Sequence, residues 1–204
     1  MTESIEIQIF KRIKKAGRGL LFFAEDFAKK GSPKAVSKAL ERLVAKGELV
    51  RAARGIYVRP KFDNVIGQLT PRIEDIAKAI ARRDKARIVP TGIYALNRLG
   101  LSTQVPLNII YLTDGAARKV KLGNYVITFK KTAPKNLTAV GEISELAIQA
   151  LRTIGKESVT EDEIKKIQAL LMKEKMTRLE HDIRLAPAWI REIMKPVLKK
   201  MQHD

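Results

Sequence analysis

Residues 32–60 read SPKAVSKALERLVAKGELVRAARGIYVRP, and the reading of this stretch decides the fold. Ser32 is placed to cap a helix whose first residue is Pro33, where a missing N–H costs nothing, and Gly47 supplies the stop. Between them Val36, Leu40, Leu43 and Val44 fall on one face at helical spacing, whereas Lys34, Ser37, Lys38 and Glu41 fall on the other. One face suits a core and the other a partner. Two short strand-like runs follow, 48–51 and 56–59, joined through Ala52, Ala53, Arg54 and Gly55. They predict a β-hairpin that carries Arg51, Arg54 and Arg59. A helix with a polar outer face followed by an arginine-bearing hairpin is the sequence shape of a winged helix-turn-helix. Its helix fits a DNA major groove, with Ser32, Lys34, Ser37, Lys38 and Glu41 toward base edges and phosphates, and its hairpin fits the flanking backbone.

Toward the N-terminus, Ile5, Ile9 and Ile13 make the stripe of a first helix over 4–16, with lysines and an arginine crowded at its end, where the helix dipole favours cations. Gly17-Arg18-Gly19 breaks it, and lacks the spacing of a phosphate-binding loop. Phe22, Phe23 and Phe27 read as the core of a short second helix over 25–30 rather than as base-stacking aromatics. Gly31 turns the chain into the capped helix. The order helix, helix, turn, helix, hairpin closes within residues 1–62, the first expected domain.

Charge agrees with this placement. The chain holds 40 Lys and Arg against 22 Asp and Glu, a formal net charge of +18 in 204 residues. Residues 1–62 carry 15 basic and 6 acidic side chains, a net +9; residues 63–134 carry 12 and 5, a net +7; residues 135–204 carry 13 and 11, a net +2. The positive field therefore covers the first two-thirds, as for a chain that meets polyanions there. Hydrophobic content of 45% is enough for real cores. With no cysteine, disulfides and thiolate metal sites are excluded. An acidic N-terminus with no apolar segment after it and no long aliphatic run predicts a cytoplasmic protein without a membrane partner.

The run Leu40-x-x-Leu43-x-x-Lys46-Gly47-x-Leu49-x-Arg51-x-x-Arg54-Gly55-Ile56-Tyr57-x-x-Pro60 resembles the N-terminal winged helix of the AbiEi-type antitoxins of type IV toxin–antitoxin, or abortive infection, systems. It is equally similar to related uncharacterised bacterial winged-helix proteins. A second element, Gly92-Ile93-Tyr94-Ala95-Leu96-Asn97-Arg98-Leu99-Gly100-Leu101-Ser102-Thr103-Gln104-Val105-Pro106, resembles the segment that follows the winged helix in that family, and it comes in the right order. Ala24 departs from the Ser or Thr that many such domains place before the second helix. The resemblance implies a transcriptional autoregulator that binds double-stranded DNA at repeats in its own promoter. It also implies an antitoxin that counteracts a nucleotidyltransferase-like toxin, with direct contact left open.

Residues 63–204 are expected to form an α+β domain, mixed over 63–134 and helical over 135–204. Thr70 and Pro71 open a helix to about residue 83, and Thr91 opens a short one ending at Gly100. The runs 107–112, 118–122 and 125–130 alternate like strands, with turns at Thr113-Asp114-Gly115 and Gly123-Asn124, and so predict an antiparallel β-meander. Arg118, Lys119, Lys121, Lys130 and Lys131 lie on its second hairpin, either as a solubilising edge or as a second patch for phosphates or another partner. Helices are expected over 142–154 and 160–173, the second opened by Thr160 and Glu163 as a capping box, which accounts for the acids at 161–163. Pro187 starts a last helix that anchors through Trp189, Ile190, Ile193 and Met194, with Pro196 kinking or ending it.

Neither His181 nor His203 has a partner at metal-ligand spacing, so no metal or cofactor is expected. No catalytic constellation emerges, although Asp63, Glu74, Asp75, Asp84 and Asp114 are the carboxylates a nuclease would need to converge. The expected protein is thus not an enzyme but a DNA-binding antitoxin and autorepressor. The alternative is a stand-alone winged-helix regulator whose remaining domain senses a ligand or dimerises.

Overall fold

In the computed structural model, which describes residues 3–203, the early helices begin where a side chain can receive an orphan backbone N–H. The Ser4 hydroxyl accepts from the Ile7 N–H at 3.4 Å and opens α1 (Ile5–Ala16), and Ser32 accepts from Ala35 at 3.3 Å and opens α2 (Pro33–Ala45). Between them the chain forms β1 (Leu21–Phe23) and a 3-10 helix, Ala24–Lys30. The Ser or Thr missing at position 24 is replaced from within the turn, since the Asp26 carboxylate accepts from the Phe23 N–H at 2.7 Å.

After α2 come β2 (Val50–Ala53), β3 (Ile56–Val58), β4 (Lys61–Asp63) and β5 (Gly67–Leu69). Strands β1, β3 and β2 make an antiparallel three-stranded sheet in that order, and β4 and β5 pair only with each other. Ile9, Ile13, Phe27, Val36, Leu40, Leu43, Leu49 and Tyr57 pack into one buried cluster, which joins the inner faces of α1 and α2 to the sheet. Each such aliphatic contributes about 1.5–3 kcal/mol on burial, so this cluster dominates the stability of the first unit.

The chain divides into two compact units, Met1–Ile80 with Val120–Gly123 and Ala81–Lys119 with Asn124–Asp204. The division falls later than the expected boundary at 62, because that boundary would cut the β4–β5 hairpin. Helix α3 (Ile73–Arg83) carries the chain from one unit into the other.

The second unit contains β6 (Ile88–Thr91), α4 (Ile93–Arg98), β7 (Asn108–Thr113) and β9 (Tyr125–Lys131), and β8 (Arg118–Leu122) begins in it, its last three residues falling in the first unit's Val120–Gly123 segment. The sheet order is β6-β7-β9-β8, with β6 antiparallel to β7 and β7 parallel to β9 from Asn108↔Val126 to Thr113↔Lys131. This corrects the expected antiparallel meander. The turn after β7 is tied to the β6 side and does not close a hairpin onto β8: Asp114 accepts from the Arg87 N–H at 2.8 Å, and the Thr113 hydroxyl donates to the Arg87 carbonyl at 2.9 Å. Residue Thr91, expected to open a helix, ends β6 instead, and α4 begins after Gly92.

Four helices complete the unit: α5 (Glu142–Ile154), α6 (Glu161–Leu171), α7 (Met176–Leu185) and α8 (Ala188–His203). Helix α6 opens on the expected capping box, with the Thr160 N–H donating to Glu163 at 2.9 Å. Pro196 lies inside α8 without ending it. The core of this layer is Ala147, Leu151, Ile167, Leu171, Leu179, Ile190 and Met194, all fully buried, with Trp189 packed against it.

The start of α5 is held by side chains distant in sequence. Fully buried Asp182 on α7 accepts from the Val140 N–H at 2.9 Å, the Gly141 N–H at 2.8 Å and the Ser144 hydroxyl. Glu174 accepts from the Ile143 N–H at 2.8 Å. A Cβ on Gly141 would lie 2.6 Å from a Glu174 carboxylate oxygen, so Gly141→Ala is expected to destabilise the second unit by about 1–3 kcal/mol, read by urea unfolding. Unchanged stability would show that the carboxylate can move aside.

Candidate nucleic-acid interface

The face of α2 turned away from Leu40 and Leu43 presents Lys34 and Lys38, both exposed, one turn apart. Half-buried Ser37 lies between them and donates to Glu41 at 3.4 Å, which turns that carboxylate along the helix. Ser32, the first of the expected contact residues, uses its hydroxyl for the helix cap. Further along, Arg42, at 3.8 Å, and Lys46 pair with Glu6 of α1 while their side chains stay exposed, so Lys34 and Lys38 are the cations of the outer face that carry no carboxylate partner among these pairs.

The hairpin after α2 differs from its expected arms. Strand β2 runs to Ala53, its register against β3 shifts between Arg51 and Ala53, and the tip is Arg54-Gly55, where Gly55 takes φ +73°. The extra residue twists the hairpin and leaves Arg51 and Arg54 exposed. Arg59 is turned inward: its guanidinium donates to the Lys14 carbonyl at 3.2 Å, at the negative end of α1, and its own carbonyl accepts from the Gly19 N–H at 2.9 Å. Four cations, Lys34, Lys38, Arg51 and Arg54, are therefore presented by the first unit from the expected set of eight residues.

The second basic group separates in the same way. Arg118 forms an ion pair with Asp84 and lies over the Phe129 ring at 5.4 Å, and partial burial, then the neighbouring charge of Arg83, lower its pKa. Its charge is thus already engaged. Lys119 and Lys121 are exposed and alternate on one face of β8, while Lys130 and Lys131 are exposed at consecutive positions of β9 and so point to opposite faces.

Four of the scattered carboxylates have local partners. Asp63 accepts from the Val65 and Ile66 N–H groups, Glu74 pairs with Lys78 at 2.7 Å, Asp84 pairs with Arg83 at 2.9 Å, and Asp114 holds Arg87. His181 places Nδ1 2.8 Å from Asp182. Among the described residues no group of three or more His, Cys, Asp or Glu is placed to hold a metal ion, and no helix is long and apolar enough to cross a membrane.

Comparison with known proteins gives three findings. The model of a family of unknown function, DUF6088, matches residues 8–179. No curated protein matches the chain. Among solved structures, the chain is similar to the crystal structure of the RV2827C protein from Mycobacterium tuberculosis, with 13% sequence identity and a TM-score of 0.47 over 98% of this chain and 82% of that one.

Proposed function

The chain belongs to the DUF6088 family, and from the geometry of its first unit we propose that it is a double-stranded-DNA-binding transcriptional regulator built on a winged helix-turn-helix. The observation that carries this reading is the connectivity: helix, strand, helical turn, helix, then two strands, with the sheet ordered β1-β3-β2. That order is the one in which a winged helix places its last helix and its hairpin on one side. Lys34 and Lys38 on the first half of α2 are then the groups for base edges and phosphates in the major groove, and Arg51 and Arg54 the groups for the adjacent backbone. The resemblance to AbiEi-type antitoxins extends the proposal. The DNA is the promoter of the protein's own operon, and the second unit counteracts a nucleotidyltransferase-like toxin.

A gel shift of the full chain on its own upstream region, against a scrambled duplex of equal length over a salt series, tests DNA binding. The native duplex is expected to shift preferentially. Lys38→Ala should weaken the preference by about 1–3 kcal/mol, and Arg54→Ala should weaken both duplexes alike and flatten the salt slope by about 1. Arg59→Ala separates packing from recognition, since its guanidinium is occupied at the end of α1. It is expected to lower the stability of the first unit by about 1 kcal/mol while changing DNA affinity less than Arg54→Ala does. Binding indifferent to sequence and to all three changes would remove the regulator reading. Co-expression with a toxin encoded beside the gene tests the antitoxin part, which fails if growth is not restored.

A further inference from the structure

The β4–β5 hairpin contributes to neither the α2 and β2–β3 cations nor the basic strands β8 and β9. It pairs Lys61↔Leu69, Phe62↔Gln68 and Asp63↔Gly67, leaving Asn64, Val65 and Ile66 as a three-residue tip. Asp63 fixes that tip by accepting from the Val65 N–H at 2.8 Å and the Ile66 N–H at 3.1 Å, and Gly67 takes φ +75°. These two N–H groups, Val65 first, hold the Asp63 carboxyl below its usual range, so the tie persists at neutral pH and is lost only as acid protonates the group. Polar groups are satisfied inside the turn, and apolar ones are left outside: Val65 is 94% and Ile66 74% exposed. Two large aliphatics held outward on an ordered tip need an occupant.

The base of the hairpin points to the kind of occupant. Arg18 donates to the Pro60 carbonyl at 3.2 Å and lies over the Phe62 ring at 6.0 Å, so the hairpin is fastened to the same unit as α2. Exposed Arg18 and Lys61 place positive charge at that root, and the one acid of the hairpin is consumed by its own turn. Even with Phe62 of β4, itself 58% exposed, Val65 and Ile66 expose far less than the roughly 800 Å² per partner that a stable protein interface buries. They do match the apolar wedges that enter a minor groove between base steps, with cations flanking them on the backbone.

We propose that residues 61–69 form an arm that enters the minor groove of the bound duplex and wedges Val65 and Ile66 against a base step, bending the DNA. Asn64 at the tip supplies a donor for the minor-groove acceptors of an A·T pair. The inference rests on the DNA-binding reading above and adds a second contact to it.

The test is a circular-permutation gel shift of the full chain on its upstream duplex, with Val65→Ser/Ile66→Ser, Asp63→Ala and Lys38→Ala beside the parent. Both tip changes lie on exposed positions. The parent is expected to bend the duplex. The double serine variant should lose the bend and about tenfold in affinity, and Asp63→Ala should lose part of both. Lys38→Ala should bind more weakly yet bend whatever it binds. A double serine variant that binds and bends like the parent overturns the arm while leaving the regulator reading intact. So does one that keeps its DNA binding and bend but loses dimerisation in sedimentation, which would assign the tip to a second copy. A parent that shifts no duplex removes both readings together.

Discussion

Asp182→Ala is expected to destabilise the second unit by about 3–5 kcal/mol, the largest effect of any single substitution argued for this chain. The carboxylate is fully buried and receives the Val140 N–H, the Gly141 N–H and the Ser144 hydroxyl. Removing it strands two backbone donors at the positive end of α5, in a buried site that loses its acceptor. Asp182→Asn keeps one acceptor oxygen but turns an N–H₂ group toward a donor, so its cost should fall between those of alanine and the parent. Trp189 is the only tryptophan and packs against the same core, so its fluorescence during urea unfolding reports this unit. A loss below about 1 kcal/mol for alanine would mean that Glu174, which already accepts from Ile143, can take over the orphaned donors.

That cap also marks where the sequence stops being legible. Position 141 is a glycine with no side chain to cap α5, and its replacement comes from Asp182, 41 residues away. Local signals served well where the physics is local: Ser32 with Pro33 for α2, Thr160 with Glu163 for α6, and the burial of three phenylalanines, two of which pack at 6.1 Å between ring centroids, although Phe22 and Phe23 lie on β1 and not on the expected second helix. They failed where pairing is decided by distant partners. Strand β6 contains Pro90, which argues against a strand until the sheet order places β6 at an edge, where a missing donor costs little. The β4–β5 hairpin lacks an apolar–polar alternation because neither face is buried. The parallel pairing of β7 with β9 goes with a turn in which Asp114 and Thr113 bond back to residue 87, which no spacing announces.

The same division governs the candidate site. Exposure of Lys34, Lys38, Arg51 and Arg54 follows from helix periodicity and turn position, and so could be read in advance. The inward commitments of Arg59 to Lys14 and of Arg118 to Asp84, and the surface pairing of Arg42 and Lys46 with Glu6, are tertiary. A count of cations therefore overstates what a polyanion would meet.

Replacing Lys34, Lys38, Arg51 and Arg54 together by alanine is accordingly expected to lower affinity for the upstream duplex by about 10²–10³-fold at low salt, and to flatten the salt dependence by roughly three to four units. The slope is the sharper reading, because it counts phosphates released from counterions regardless of base sequence. All four side chains are exposed, so thermal unfolding of the variant should match the parent within a few degrees. The matched control neutralises Lys119, Lys121, Lys130 and Lys131, which lie on strands of the other sheet and include a consecutive pair that cannot face one surface. If the control flattens the slope and the first set does not, the polyanion lies along β8 and β9, and α2 keeps only its packing role. If both flatten it by similar amounts, charge is acting as a diffuse field, and sequence preference must then come from contacts other than Lys38.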